Sequence, residues 1–177
     1  PVHHLDIGVT GHRSSHPIFS ENQSAIENVL SALLDQIDSI INELREPIAP
    51  CIIATPRLHS LLAYGADLMS VQLALARSWE IVAPLPFGLA LNVAVNAQPD
   101  TCDDMTALLN NTSVADPKVA ARAADIREAA IRSVLFELAD QDVLVEQQFR
   151  KHLSKLDDHD ARSSFQTLIS ERAAVAA

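Results

Sequence analysis

The chain is poor in glycine, cysteine and aromatic residues. Its 177 residues include four glycines, two cysteines, one tryptophan and one tyrosine, and aromatics make up only 4%. The two cysteines, Cys51 and Cys102, are far apart and in no metal-ligand spacing. A disulfide framework is therefore excluded, and a reducing, cytoplasmic setting is expected. Cys51, inside the apolar stretch "CIIAT", reads as a small buried hydrophobe. Basic residues are also in deficit, with 13 Lys and Arg against 23 Asp and Glu and a net charge of -10. Such a chain repels phosphate backbones, so general nucleic-acid binding is not expected. A local pocket for one small anion is still allowed. No basic-then-apolar leader is present, and no apolar run nears the roughly 20 residues of a membrane helix. Neither a signal peptide nor a membrane partner is expected. Gly-x-Gly-x-x-Gly, P-loop and Gly-x-Ser-x-Gly motifs are missing too. That argues against ordinary dinucleotide dehydrogenases, P-loop NTPases and classical hydrolases. His3, His4, His12 and His16 crowd the N-terminal region without a zinc signature, so no metal and no cofactor is expected.

What is present is plentiful aliphatic material, with 48% hydrophobic residues, enough for one domain with a sizeable core. "HLDIGVTG" alternates and predicts a first strand over Leu5 to Thr10. "HRSSHPIF" reads as a loop. Ser20 with Gln23 three residues on makes a capping-box pattern. From there Ile26, Val29, Leu30, Leu33, Leu34, Ile37, Ile40, Ile41 and Leu44 predict an amphipathic helix to about Arg45. "EPIAP" stops it. "PCIIATP" predicts a second strand, short and continuously apolar, of the kind covered on both faces. "GADLMSVQLALARSW" predicts a helix and "EIVAPLPF" a third strand. This alternation is that of a parallel sheet with crossover helices.

After Phe87 the pattern changes. Residues from Ala90 to Asn111 read as a loop with a short helix. Asp116 as N-cap and Pro117 at the first helical position start a helix. Val119, Ala123, Ile126, Ala130, Val134 and Leu138 continue it at helical spacing. "KLDDHDAR" is a charged connection, and "SSFQTLISERAAVAA" predicts a last helix. The expected fold class is α/β: a Rossmann-like three-layer parallel sheet. Residues 1–90 form a βαβαβ nucleotide-binding core, and 91–177 the mostly helical remainder of the same domain. Three strands are few for a doubly wound sheet, so the chain reads as the first part of a longer one. Strand one is expected between the other two, or at an exposed edge.

Candidate site residues fall where strands end. Thr10, Gly11, His12 and Arg13 follow strand one, and ligands in open α/β sheets bind outside the carboxyl ends of strands. Gly11 would let the backbone approach a ligand, and Arg13 would fork onto phosphate or carboxylate. Equally, the segment is a tight turn with Arg13 in solvent or paired with an acid. Gly65, Ala66 and Asp67 open the helix after strand two. Free amides there make a phosphate cradle, and Asp67 either caps the helix or bonds a ribose. Phe87, after "PLP", packs on a base or on the core.

Together "GVTGHR" and "LHSLLAYGADLMSVQLALARSWEIVAPLPF" resemble the SMF/DprA–LOG (SLOG) superfamily, and within it uncharacterised bacterial Rossmann-like members. The matching positions are Gly11 to Arg13, Leu62 to Asp67 and Leu85 to Phe87. The likeness covers about the first 90 residues. It implies binding of a nucleotide or nucleotide-derived ligand across the strand ends. Tyr64 and Leu68 stand where such relatives often carry charge, and their later Gly-rich phosphate loop is missing. Two other readings are open. One is a phosphoribohydrolase cleaving the N-glycosidic bond of a nucleoside monophosphate, with Asp67 as its catalytic carboxylate. The other is a structural or oligomerisation module without a ligand. Self-association into a homo-oligomer is expected in any case, because so small a sheet leaves an open edge.

Overall fold

The computed structural model describes residues 3–45, 53–86, 88–137 and 147. Among these the element order is β1 (Asp6–Gly8), α1 (Pro17–Arg45), β2 (Arg57–His59), α2 (Ala66–Ala76), β3 (Glu80–Leu85), α3 (Leu89–Asn96), α4 (Cys102–Leu109), α5 (Pro117–Ile131) and β4 (Val134–Glu137). The strands form one four-stranded sheet in the order β1-β2-β3-β4. It is all-parallel, with helices on both sides, so the chain has the expected α/β, Rossmann-like fold. β1 is an edge strand.

The register explains which residues are buried. Ile7, Leu58 and Ile81 stand side by side across β1, β2 and β3. Side chains alternate along a strand, so these three share one face; Leu58 is 0% and Ile81 1% exposed. The next row, Asp6, Arg57 and Glu80, lies on the other face. There charges pair with one another. Arg57 Nε donates to Glu80 Oε2 at 2.6 Å, Arg57 Nη2 meets His4 Nε2 at 3.2 Å, and His59 Nε2 meets Asp6 Oδ1 at 3.0 Å. The hydrogen bond from His59 holds the Asp6 carboxyl below its ordinary range, with His59, Arg57 and His4 adding charge.

This polar row corrects the position of the second strand. Among the described residues the strand is "RLH"; of the stretch "PCIIATP", Ile53 forms a bridge to His3 and the Ala54 amide donates to His3 O at 2.9 Å. A strand with one face bearing ion pairs carries no apolar run. Cys51 lies outside the described residues.

Two compact units divide the chain: Pro1–Ser60 with Tyr64–Val82, and Leu61–Ala63 with Ala83–Ala177. In the first, α1 packs on α2. Phe19, Leu34 and Ile41 of α1 are buried. Arg77, just after α2, ties the pair: Nη2 donates to Asp35 Oδ1 at 2.6 Å and to Ser31 Oγ at 2.7 Å. Trp79 Nε1 donates to Asp38 Oδ1 at 2.8 Å. α1 begins at Pro17, one turn before the expected cap. His16 Nδ1 accepts from the Ile18 amide at 3.3 Å, and Ser20 is already helical, its hydroxyl donating to Pro17 O. Proline suits the first helical position, and that signal outweighs the capping box.

In the second unit α3 contacts both α4 and α5. Leu91, Val93, Leu108, Val119, Ala123 and Ile126 are buried between them. Thr101 caps α4, and Asp116 caps α5 by accepting from Lys118 N at 2.7 Å. After Phe87, where a loop with one short helix was expected, two helices form, α3 and α4. α5 ends at Ile131, and Val134, expected within it, starts β4 instead. The β-branched and aromatic "VLF" favours a strand once Arg132 and Ser133 have ended the helix. Leu138 and "SSFQTLISERAAVAA" lie outside the described residues.

Candidate functional site

The segment after β1 and the segment opening α2 are joined by their backbones. Arg13 and Gly65 form an antiparallel bridge. Ser14 N donates to Tyr64 O at 3.0 Å, and Ala66 N donates to His12 O at 3.1 Å. Thr10–Arg13 and Gly65–Asp67, named from the sequence as one site, are therefore neighbours at the carboxyl end of β1.

Both glycines serve this clasp. Gly65 has φ +142°, and a Cβ on it would lie 2.5 Å from His12 O, 2.7 Å from Ser14 N and 2.8 Å from Arg13 Cα. A Cβ on Gly11 would lie 2.5 Å from that of Ala66. The close approach that Gly11 permits is to the opposite loop. The Ala66 amide, expected to be open to an anion, is occupied by the His12 carbonyl. The physical reason is that orphan N–H groups at a helix start take whatever acceptor is nearest. Here it is protein backbone.

Arg13 is exposed at its position, yet its guanidinium is screened enough by protein to lower its hold on the proton, an effect opposed by the negative charge of Asp67. It still carries a full positive charge at any ordinary pH. Asp67 lies in the first turn of α2, 7% exposed. It is not the cap: Gly65 occupies that position and no side chain caps it. A carboxylate in the first turn favours the helix dipole. Thr10, Gly11 and His12 are exposed. Phe87 lies outside the described residues.

One member of the neighbourhood, His16, was weighed from the sequence only among the N-terminal histidines and not assigned to this site. The His12 ring stacks on that of His16, with centroids 3.9 Å apart and planes 10° apart. His16 thus links the site loop to the start of α1. The His-Pro pair ahead of a helical pattern was the available signal. Among the described residues no group of three His, Cys, Asp or Glu is arranged to hold a metal, and no helix is long and apolar enough to cross a membrane. No protein-family model, curated protein or solved structure matches the chain.

Chemically, the arrangement offers one persistent cation with a fork of donors, two stacked imidazoles and a nearby buried carboxylate. That set suits holding an anion.

Proposed function

We propose that the chain is a binding module for a phosphate-bearing small ligand of the nucleotide class. The observation that carries this reading is the backbone clasp, which presents Arg13 at the carboxyl end of an edge strand beside the first turn of α2. The ligand's phosphate binds the Arg13 guanidinium, whose positive charge the nearby Asp67 carboxylate favours. The reading is binding rather than N-glycosidic hydrolysis. A carboxylate 7% exposed serves its arginine neighbour better than it activates a water molecule.

Calorimetry with a nucleoside monophosphate and the matching nucleoside tests the proposal. The monophosphate binds more tightly. Arg13→Ala removes a charge-assisted contact worth roughly 1.5–3 kcal/mol, which is about tenfold to a hundredfold in affinity. The melting temperature of the variant stays near that of the parent, because the side chain projects from an exposed loop. Equal affinity for the two ligands sinks the phosphate assignment, as does an Arg13→Ala protein that no longer folds.

A further inference from the structure

The loop that carries Arg13 has a second feature that phosphate binding leaves unused, the stacked imidazoles of His12 and His16. Their ring centroids are 3.9 Å apart and their planes 10° apart. Both residues are fixed through their backbones. His12 O accepts from the Ala66 amide at 3.1 Å, which ties it to the start of α2. His16 N donates to Arg13 O at 2.9 Å, closing the turn from Arg13 to His16, and His16 O accepts from the Phe19 and Ser20 amides at 3.0 Å each. The His16 ring is held as well, since its Nδ1 accepts from the Ile18 amide at 3.3 Å. His16 is half-buried and His12 exposed. The inner ring of the stack is thus anchored to α1, and the outer ring is that of His12.

The geometry narrows what such a pair can do. The lone pairs of an imidazole lie in its ring plane, and those of two nearly parallel, stacked rings do not converge on one metal ion. One of them, on His16 Nδ1, is already engaged by the Ile18 amide. A ring that accepts at Nδ1 is the neutral form with its proton on Nε2, so anion binding belongs to Arg13 and not to His16. The π face is left. His16 covers one face of the His12 ring; with His12 exposed, the opposite face is where a third planar ring adds to the stack. Nucleobases stack on His as they do on Phe, Tyr and Trp. A platform ordered beforehand by these hydrogen bonds loses little side-chain freedom when a ligand stacks on it. The clasp itself has no need of the ring pair, because backbone hydrogen bonds already join the loop to α1 and α2.

We infer that the His12–His16 pair is a stacking platform for the planar base of the ligand, with His12 as the ring in contact. The inference rests on the reading of this loop as the ligand site, and it assigns the part of the ligand that phosphate binding leaves open. Arg13 follows His12 directly, with Cα atoms about 3.8 Å apart. One short segment therefore supplies a cation for the phosphate and a ring for the base. Every base has a π face, so stacking tolerates differences between bases, and the platform takes nucleobases as a class.

Calorimetry on the full chain with adenosine monophosphate, adenosine and ribose phosphate tests this, the last having sugar and phosphate without a base. The monophosphate is expected to bind about fivefold to thirtyfold more tightly than ribose phosphate, as one base stacked on a small ring gives. His12→Ala removes that difference and leaves the affinity for ribose phosphate unchanged. His12→Phe, which keeps a ring face without the ring nitrogens, preserves it. In the parent protein the His12 ring protons move upfield in NMR spectra with the monophosphate and with adenosine, and not with ribose phosphate; their signals are assigned by their loss in His12→Phe. That readout does not require the alanine variant to fold. Equal affinity of the parent for the monophosphate and ribose phosphate overturns the inference. So does a His12→Ala protein that weakens both alike, since the ring then only holds the loop. The phosphate assignment fails separately, if adenosine binds as tightly as its monophosphate while the loss at His12→Ala persists. Binding of none of the three ligands overturns both.

Discussion

Single helices of the two units treat apolar surface differently, although each unit has both kinds: Leu58, Val71 and Ala74 of the first are 0% exposed, and Ile131 and Phe136 of the second 85% and 59%. In the second unit the helices are short, yet Leu91 and Val93 of α3, Leu108 of α4 and Val119, Ala123 and Ile126 of α5 are each at most 1% exposed. In the first unit the longest helix, α1, leaves five large apolar side chains at 47% exposure or more, and its sheet shows a face of paired charges. Thr10–Arg13 and Gly65–Asp67 sit in the first unit, after β1 and at the start of α2. That unit has a core of its own, with Leu58, Val71 and Ala74 at 0% exposure, and beside it exposes a loop with an arginine and an apolar helix face.

That contrast is open to mutation. The largest effect belongs to the helical unit. Ile126→Ala removes a side chain with 0% exposure and should cost about 2–5 kcal/mol, whereas Leu33→Ala on α1 should change the stability of the monomer by no more than about 0.5 kcal/mol. Urea unfolding of both variants at low protein concentration measures the difference; equal losses would erase the distinction between these helices. Next comes the clasp. Gly65→Ala places a Cβ within 3 Å of three backbone atoms at a φ of +142°. A loss of about 1–3 kcal/mol is expected, together with loss of ligand affinity as the two loops part. Full stability with full affinity in that variant would show that the loops need no close approach. The smallest effect is electrostatic. The Asp6 carboxyl titrates below its ordinary range because His59 bonds it. Its contribution to stability is present above the unfolded carboxylate pKa of about 3.9 and fades as pH falls through the lower folded value. Asp6→Asn should therefore flatten the acid limb of a stability–pH curve below about pH 4 and lower neutral stability by the same small amount, since the contribution lost is the one present above that pH and the pair is exposed. An unaltered acid limb would mean that the Asp6–His59 bond has no thermodynamic weight.

Several elements were legible residue by residue. β3 and α2 lie within the stretches "EIVAPLPF" and "GADLMSVQLALARSW" that predict them, because long apolar stretches leave few alternatives. Asp116 and Pro117 start α5 as read, since capping is a contact between neighbours in the chain. The misplaced strand had a different cause. Arg57, Leu58 and His59 look like a polar turn in isolation; only the partners Glu80 and Asp6, brought alongside by the sheet, make their charges tolerable in a strand. Val134 continued a helical period in the sequence, but helical spacing over a few residues does not say where a helix stops. His16 was passed over as loop, although the proline after it marks the first turn of α1.

The sequence by itself determined the class of fold, because alternating strand and helix signals are written in local periodicity. It also determined which residues would gather at the strand ends, since each follows its strand directly in the chain. Tertiary structure alone decided what those residues do to one another. Gly11 and Gly65 are needed for each other's loops, the Ala66 amide is used by His12, and half of α1's apolar surface faces outward. Each of these depends on a distance between segments far apart in sequence, and steric exclusion, hydrogen bonding and burial act over such distances only once the chain has folded.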